Sequence, residues 1–227
     1  MTDITKDSAS IIENGLIAFV GGMSASNRRD VKNAYLFSSL AATKQYNPYT
    51  QNELWFKRFL EVFEICGWAQ IGRNAKRERV TGKGLKMDNL AVKALEVAVS
   101  GLAVGGTLAA ALPAVATKAV TALAKRDDAL TLFKRNTDDK EGDAMNVLAC
   151  AESPDGEVVM AMGCVQTDAT MDKGNILFIE WDSEQAEAFQ ASVMLSFNQS
   201  LYQRIRATVE DKLGDRSESK VTDIDIG

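Results

Sequence analysis

Apolar positions fall at helical spacing over residues 8–46. Ile11, Ile12, Leu16, Phe19 and Val20 make a first stripe. Gly21-Gly22 ends it, since each glycine costs a helix about 1 kcal/mol. Ser26 is the expected N-cap of a second helix through Val31, Tyr35, Leu36, Leu40 and Ala41, which breaks at Asn47-Pro48. Thr50 or Asn52 caps a third helix, in which Trp55, Phe56, Phe59, Leu60 and Phe63 gather toward a core. Gly67 is its expected C′ residue. Asp88 caps another helix through Leu90, Val92 and Leu95. Beyond Lys118 an amphipathic helix carries Val120, Leu123, Leu130 and Phe133.

Residues 136–143 are polar and acidic and mark a boundary, after which the period switches to two. Met145–Glu152 and Glu157–Val165 read as strands around the turn Ser153-Pro154-Asp155-Gly156. With Pro154 and Asp155 central, Ala149 faces Met160, Val147 faces Met162 and Cys150 faces Val159. Cys150 and Cys164 then lie on opposite faces. Asn175–Trp181 is a third strand, and Gly163 is a candidate bulge. Phe189, Val193, Phe197, Leu201, Ile205 and Val209 recur every four residues. They predict a long final helix over 184–213, about 45 Å in length.

These elements predict an α+β fold. Residues 1–135 form a mainly helical part, with a loop or short exposed hairpin at 72–86 and an uncharged helical segment at 97–117. Residues 144–213 form a small antiparallel three-stranded meander closed by the long C-terminal helix. Residues 214–227 are a mobile tail. The two parts are expected to share one core.

Composition narrows the chemistry. With 227 residues the chain can bury a sizeable core. It contains no histidine, which removes Ser-His and Cys-His nucleophile systems, His metal sites and the commonest general base. Three cysteines, Cys66, Cys150 and Cys164, with no CxxC pair, argue for a reducing compartment and against a disulfide scaffold or zinc site. The apolar stretch Ile11–Met23 contains Glu13 and lacks a basic start, so it is not read as a secretory signal. Synthesis in the cytoplasm is expected, with retention there or non-classical export toward a target membrane.

Motif chemistry is sparse. Gly82-Lys83-Gly84 lacks both the upstream glycine and the hydroxyl residue of a phosphate loop. No GxSxG elbow occurs, and Ser217–Lys220 matches SxxK only within the tail. Asp138, Asp139, Glu141 and Asp143 read as a solvated linker rather than a cation site. No enzyme activity, cofactor, metal site or small-molecule substrate is assigned. The net charge of −5, and the absence of aromatic residues between Arg73 and Lys86, argue against nucleic acid as a partner.

Two adjacent features remain. Val97–Thr117 runs for 21 residues without a charge, about 31 Å as one helix. Gly101, Gly105 and Ala109 form a small-residue stripe along it that permits close packing. In composition the run is similar to the Ala- and Gly-rich buried hairpins of colicin-like pore-formers, without a residue-by-residue match. Just before it, Arg73, Lys76, Arg77, Arg79, Lys83 and Lys86 stand against the single acid Glu78, a cationic patch suited to an anionic membrane surface. Together they predict a soluble, membrane-active protein of the pore-forming or lipid-disrupting, toxin-like kind. It docks through the basic stretch and inserts the Ala/Gly-rich segment. The alternative is a non-enzymatic interaction or assembly protein, a homo-oligomer with the same segment as a core helix.

Overall fold

The computed structural model describes residues 5–79, 86–100, 107–139, 142–167 and 187–226. In chain order the elements are β1 (Ser8–Ile12), β2 (Gly15–Phe19), α1 (Ala25–Thr43), α2 (Asn52–Ile65), β3 (Trp68–Arg79), α3 (Met87–Ser100), α4 (Thr107–Ala124) and α5 (Asp127–Thr137). There follow β4 (Asp138–Asp139), β5 (Gly142–Glu152), β6 (Val158–Thr167), β7 (Glu187–Phe197), α6 (Gln199–Leu213), α7 (Arg216–Ser219) and β8 (Val221–Asp225). The fold is mixed α+β. One mixed sheet runs β3-β7-β6-β5-β2-β1-β8, with β4 paired to β5 off this path. Strands from both ends of the chain share it: β2 lies parallel to β5, and β8 closes on β1.

Helices cover both sheet faces, and side-chain alternation divides the core in two. Ile11, Leu16, Val147, Ala149, Ala161 and Val165 face a layer of α3, α4 and α5. Ile12, Ile17, Leu148, Met160, Val193 and Leu195 face α1, α2 and α6. The first core is built from Ala, Val, Leu, Ile and Met, and Phe133 is its one aromatic side chain among the described residues. The second holds an aromatic ladder. Phe63 stacks on Trp68 at 5.0 Å, Trp68 on Phe197 at 4.7 Å, and Phe197 meets Tyr202 at 5.5 Å.

The predicted arrangement of a helical N-terminal part, a three-stranded meander and a long C-terminal helix is not the one adopted. Residues 8–19 form a hairpin, not a helix. Both strands are buried throughout, so their apolar run shows no two-residue alternation. The following helix is capped by Ser24, whose side chain accepts from the Asn27 N–H, not by Ser26. The stretch read as a loop at 72–86 belongs, through Arg79, to the edge strand β3; residues 80–85 lie outside the described residues.

The long final helix is half strand. Phe189, Val193 and Phe197 sit on one side of β7, because a four-residue repeat is also two strand periods. Among the described residues of that span only α6 is helical, and Asn198, inside the expected helix, is its N-cap. The expected third strand, Asn175–Trp181, lies outside the described residues. The expected tail carries α7 and β8. Gly67 stands where expected after α2, at φ 87°.

The β5–β6 pairing is shifted by one residue from the expected register. Ala149 pairs with Ala161, Val147 with Gly163 and Cys150 with Met160. The cause is the turn. Gly156 adopts φ 83° and the Ser153 N–H bonds the Glu157 carbonyl, so three residues, not two, form the loop. A one-residue slip exchanges the faces. Cys150 and Cys164 therefore lie on the same face, in the aromatic core, offset by about 13 Å along the strands. All three cysteines are free and buried. Gly163 is not a bulge; the irregularity is in β3, between Gln70 and Gly72.

Candidate functional site

The α3–α4 pair is the element on which the uncharged run falls. α3 packs over β6 and β7 and touches β3, and α4 packs over β5 and β2. Leu112, Val115, Ala116, Ala119, Val120 and Leu123 of α4 are buried; Ala110, Ala114, Thr117, Lys118 and Thr121 are exposed. The interface is made close by small residues. A Cβ on Gly163 would overlap the Ala91 carbonyl oxygen of α3 and come within 2.7 Å of the Leu95 nitrogen. One ion pair ties α4 to the chain ahead of β1, Lys118 Nζ to Asp7 Oδ2 at 2.7 Å. Partial burial pushes the Asp7 carboxyl up. Hydrogen bonds from Lys118 and the Gly21 N–H, with the charges of Lys118 and Arg28, more than offset this and hold it below the ordinary carboxylate value.

The run is not one continuous described helix. Its first residues end α3 and its last lie in α4, where Ala109 packs, partly buried, against the small-residue core. Gly101 and Gly105 lie outside the described residues. No single helix among the described residues is long and apolar enough to cross a membrane. Leu108–Ala124 and Asp127–Thr137 meet that test only as a pair, bent by 103°.

Of the basic residues, Arg73, Lys76, Arg77 and Arg79 occupy β3 at positions opposite Val193, Gln190, Phe189 and Glu187 of β7. They are strung along about 20 Å of the sheet's edge, beside the end covered by α3. Lys86 is half-buried just before α3; Lys83 lies outside the described residues. The backbone from Arg73 to Arg79 is therefore an edge strand where a loop or short exposed hairpin was expected.

On the other face, ion pairing is tighter. Arg206 of α6 donates to both carboxylate oxygens of Asp30 on α1, at 3.0 and 2.5 Å, and Asp30 is 1% exposed. The thiols are shielded: burial pushes Cys66 up to about 11 and pushes Cys150 and Cys164 higher still.

Sequence reasoning missed a cleft of about 360 Å³ between the β1–β2 turn and the loop joining α1 to α2. Glu13, a non-glycine residue at φ 51°, forms its rim with Asn14; Tyr46, Tyr49 and Trp55 contribute aromatic walls. Behind Asn14 runs a buried chain: Asn146 Nδ2 donates to Tyr35 Oη at 2.9 Å, and both Asn146 Nδ2 and Tyr35 Oη donate to Asn14 Oδ1. Burial pushes the Tyr35 phenol far up, so it stays a neutral donor. The available signal was the polar-aromatic string Thr43–Tyr49, read only as a helix breaker.

No family model and no curated protein sequence matches the chain. In shape it is similar to a solved structure named delta-endotoxin, at 16% identity and TM-score 0.43, covering 81% of this chain and 80% of that one. It is also similar to the solved structure of the Evf virulence factor, at 12% identity and TM-score 0.31, covering 92% of this chain and 80% of that one.

Proposed function

We propose that this chain is a membrane-active protein, lipid-disrupting or pore-forming, that docks through the basic edge strand and gives up its α3–α4 pair to the bilayer. The observation that carries this reading is the asymmetry of the two cores. Burial free energy scales with apolar area, about 25 cal/mol per Å², so an alanine contact contributes far less than an aromatic one. Among the described residues, the layer of α3, α4 and α5 rests on aliphatic side chains rich in alanine, and the layer of α1, α2 and α6 on ten buried aromatic ones, among them Trp55, Trp68 and Phe197. The α3–α4 side therefore separates at lower cost. Once free, it exposes an apolar surface, interrupted by Asp88, that lipid accepts more readily than water does.

The basic line supports the same reading. Each Lys or Arg near an anionic surface contributes about 1 kcal/mol, and four of them sit on one edge strand beside α3. Leakage of an encapsulated dye from vesicles with and without phosphatidylserine tests the proposal. Release that needs anionic lipid supports it; intact vesicles at every pH and after partial unfolding overturn it. The assembly reading rests on a separate observation: β3 and β8 end the sheet and each has one strand neighbour among the described residues. Absence of leakage together with a concentration-dependent oligomer favours that reading.

A further inference from the structure

We propose that the cleft between the β1–β2 turn and the α1–α2 loop binds a neutral, hydroxyl-rich ligand, a single hexose unit such as the end of a glycan. Its volume, about 360 Å³, lies within the usual range of small-ligand pockets. Its chemistry selects the ligand class. The wall carries one carboxylate, Glu13, and one ammonium, Lys44. Glu13 is already met by Lys220 Nζ at 3.3 Å, so it holds no free charge for a cationic ligand, and the lone Lys44 ammonium can donate to a hydroxyl. The remaining polar wall is rich in amides: Asn14 with Gln45 and Asn136, the last two each able to donate and accept. An apolar ligand would strip these amides of water without replacing their hydrogen bonds, at a cost. A sugar hydroxyl both donates and accepts and satisfies them. Tyr46 and Tyr49 supply rings against which the C–H face of a pyranose can lie.

The site is also preorganised. Asn14, at the rim, is held in place by Tyr35 and Asn146, which both donate to its Oδ1. The Tyr49 backbone N–H is held by Asn47 Oδ1 at 2.7 Å, and the Tyr49 hydroxyl reaches the Asn136 carbonyl at 3.5 Å, closing the wall between two distant segments. Keeping Asn146 fully buried with its Oδ1 unpartnered, and Glu13 in a left-handed conformation, costs stability. Both costs fall next to the cleft.

The inference stands apart from the membrane reading, since sugar binding can be present whether or not vesicles leak. Saturation-transfer NMR of the full chain with methyl glycosides of glucose, galactose, mannose and N-acetylglucosamine tests it, with inorganic phosphate and choline as charged comparators. Transfer to at least one hexoside is expected, with binding weakened at least fivefold in both Tyr49→Leu and the exposed-site variant Gln45→Ala. Unchanged denaturation midpoints check that both variants fold. No transfer to any hexoside, equal binding by both variants, or equal competition by phosphate or choline would overturn the proposal.

Discussion

Gly163 of β6 and Ala91 of α3 meet backbone to backbone: a side chain on the glycine would occupy the place of the Ala91 carbonyl oxygen. That contact sets how closely the small-residue layer lies on the sheet. Gly163→Ala forces α3 outward, and overpacking of this kind costs about 1–3 kcal/mol. Urea unfolding is expected to show that loss. If the layer is the part that leaves, the variant also releases vesicle contents faster than the parent. A variant as stable as the parent removes the close contact from the account.

Acid acts on the same layer through Asp7. Its carboxyl is held low in the folded chain, so the folded state binds that proton less readily than the unfolded state. The stabilisation is present above the ordinary value, 3.8, and is lost as pH falls through the lower folded value. Asp7→Asn is expected to lower stability at pH 7 and to flatten the fall in unfolding midpoint as pH drops below the ordinary value, 3.8. An identical acid limb in the variant would assign that limb to other carboxylates.

Asp88, in the first turn of α3, has the opposite sign. Burial pushes its carboxyl above the ordinary value, against a backbone hydrogen bond from Asn89 and the charge of Lys86. The charged form is penalised in the folded state at neutral pH, and the penalty disappears as pH falls below the raised value. Asp88→Asn keeps an oxygen acceptor for Asn89. It is expected to raise the unfolding midpoint at pH 7 and leave it unchanged at pH 3. A midpoint lowered at pH 7 contradicts this.

The opposite layer has a test of its own. Arg206→Ala leaves the Asp30 carboxylate buried without its bidentate partner. A loss of at least about 2 kcal/mol is expected. Arg206→Ala with Asp30→Asn recovers part of it. Double-mutant additivity, with no recovery, would show that the pair is not coupled.

What could be read from the sequence followed the physics of each segment. Trp55, Phe59 and Phe63 on one helix face and Gly67 after it each carry a local signal and stand in the structure as read; the Ser153–Gly156 turn stands where expected, with one more residue in its loop. Segments whose pattern fits two periods went wrong. Ile11 to Phe19 is apolar on both faces and fits a helix stripe, and Phe189 to Phe197 repeats every four residues, which strands and helices share. The parallel β2–β5 pairing and the closure of β8 on β1 join residues more than 100 apart and have no local signature. The basic residues were visible as a charge run, but their arrangement along an edge strand was not. The cleft is assembled from three distant segments, around Glu13, Tyr46 and Asn136, so no single stretch announced it.

The most direct measurement follows one position on α4. Ala114 is exposed and the three native cysteines are buried, so Ala114→Cys can be labelled alone, in the folded chain, with an environment-sensitive fluorophore. On vesicles containing phosphatidylserine the emission is predicted to brighten, shift to the blue and be quenched by spin-labelled acyl chains. A matching label on exposed Arg204 of α6 is predicted to stay in water. An Ala114 label that remains solvent-exposed on vesicles of every composition contradicts the claim that this layer enters lipid.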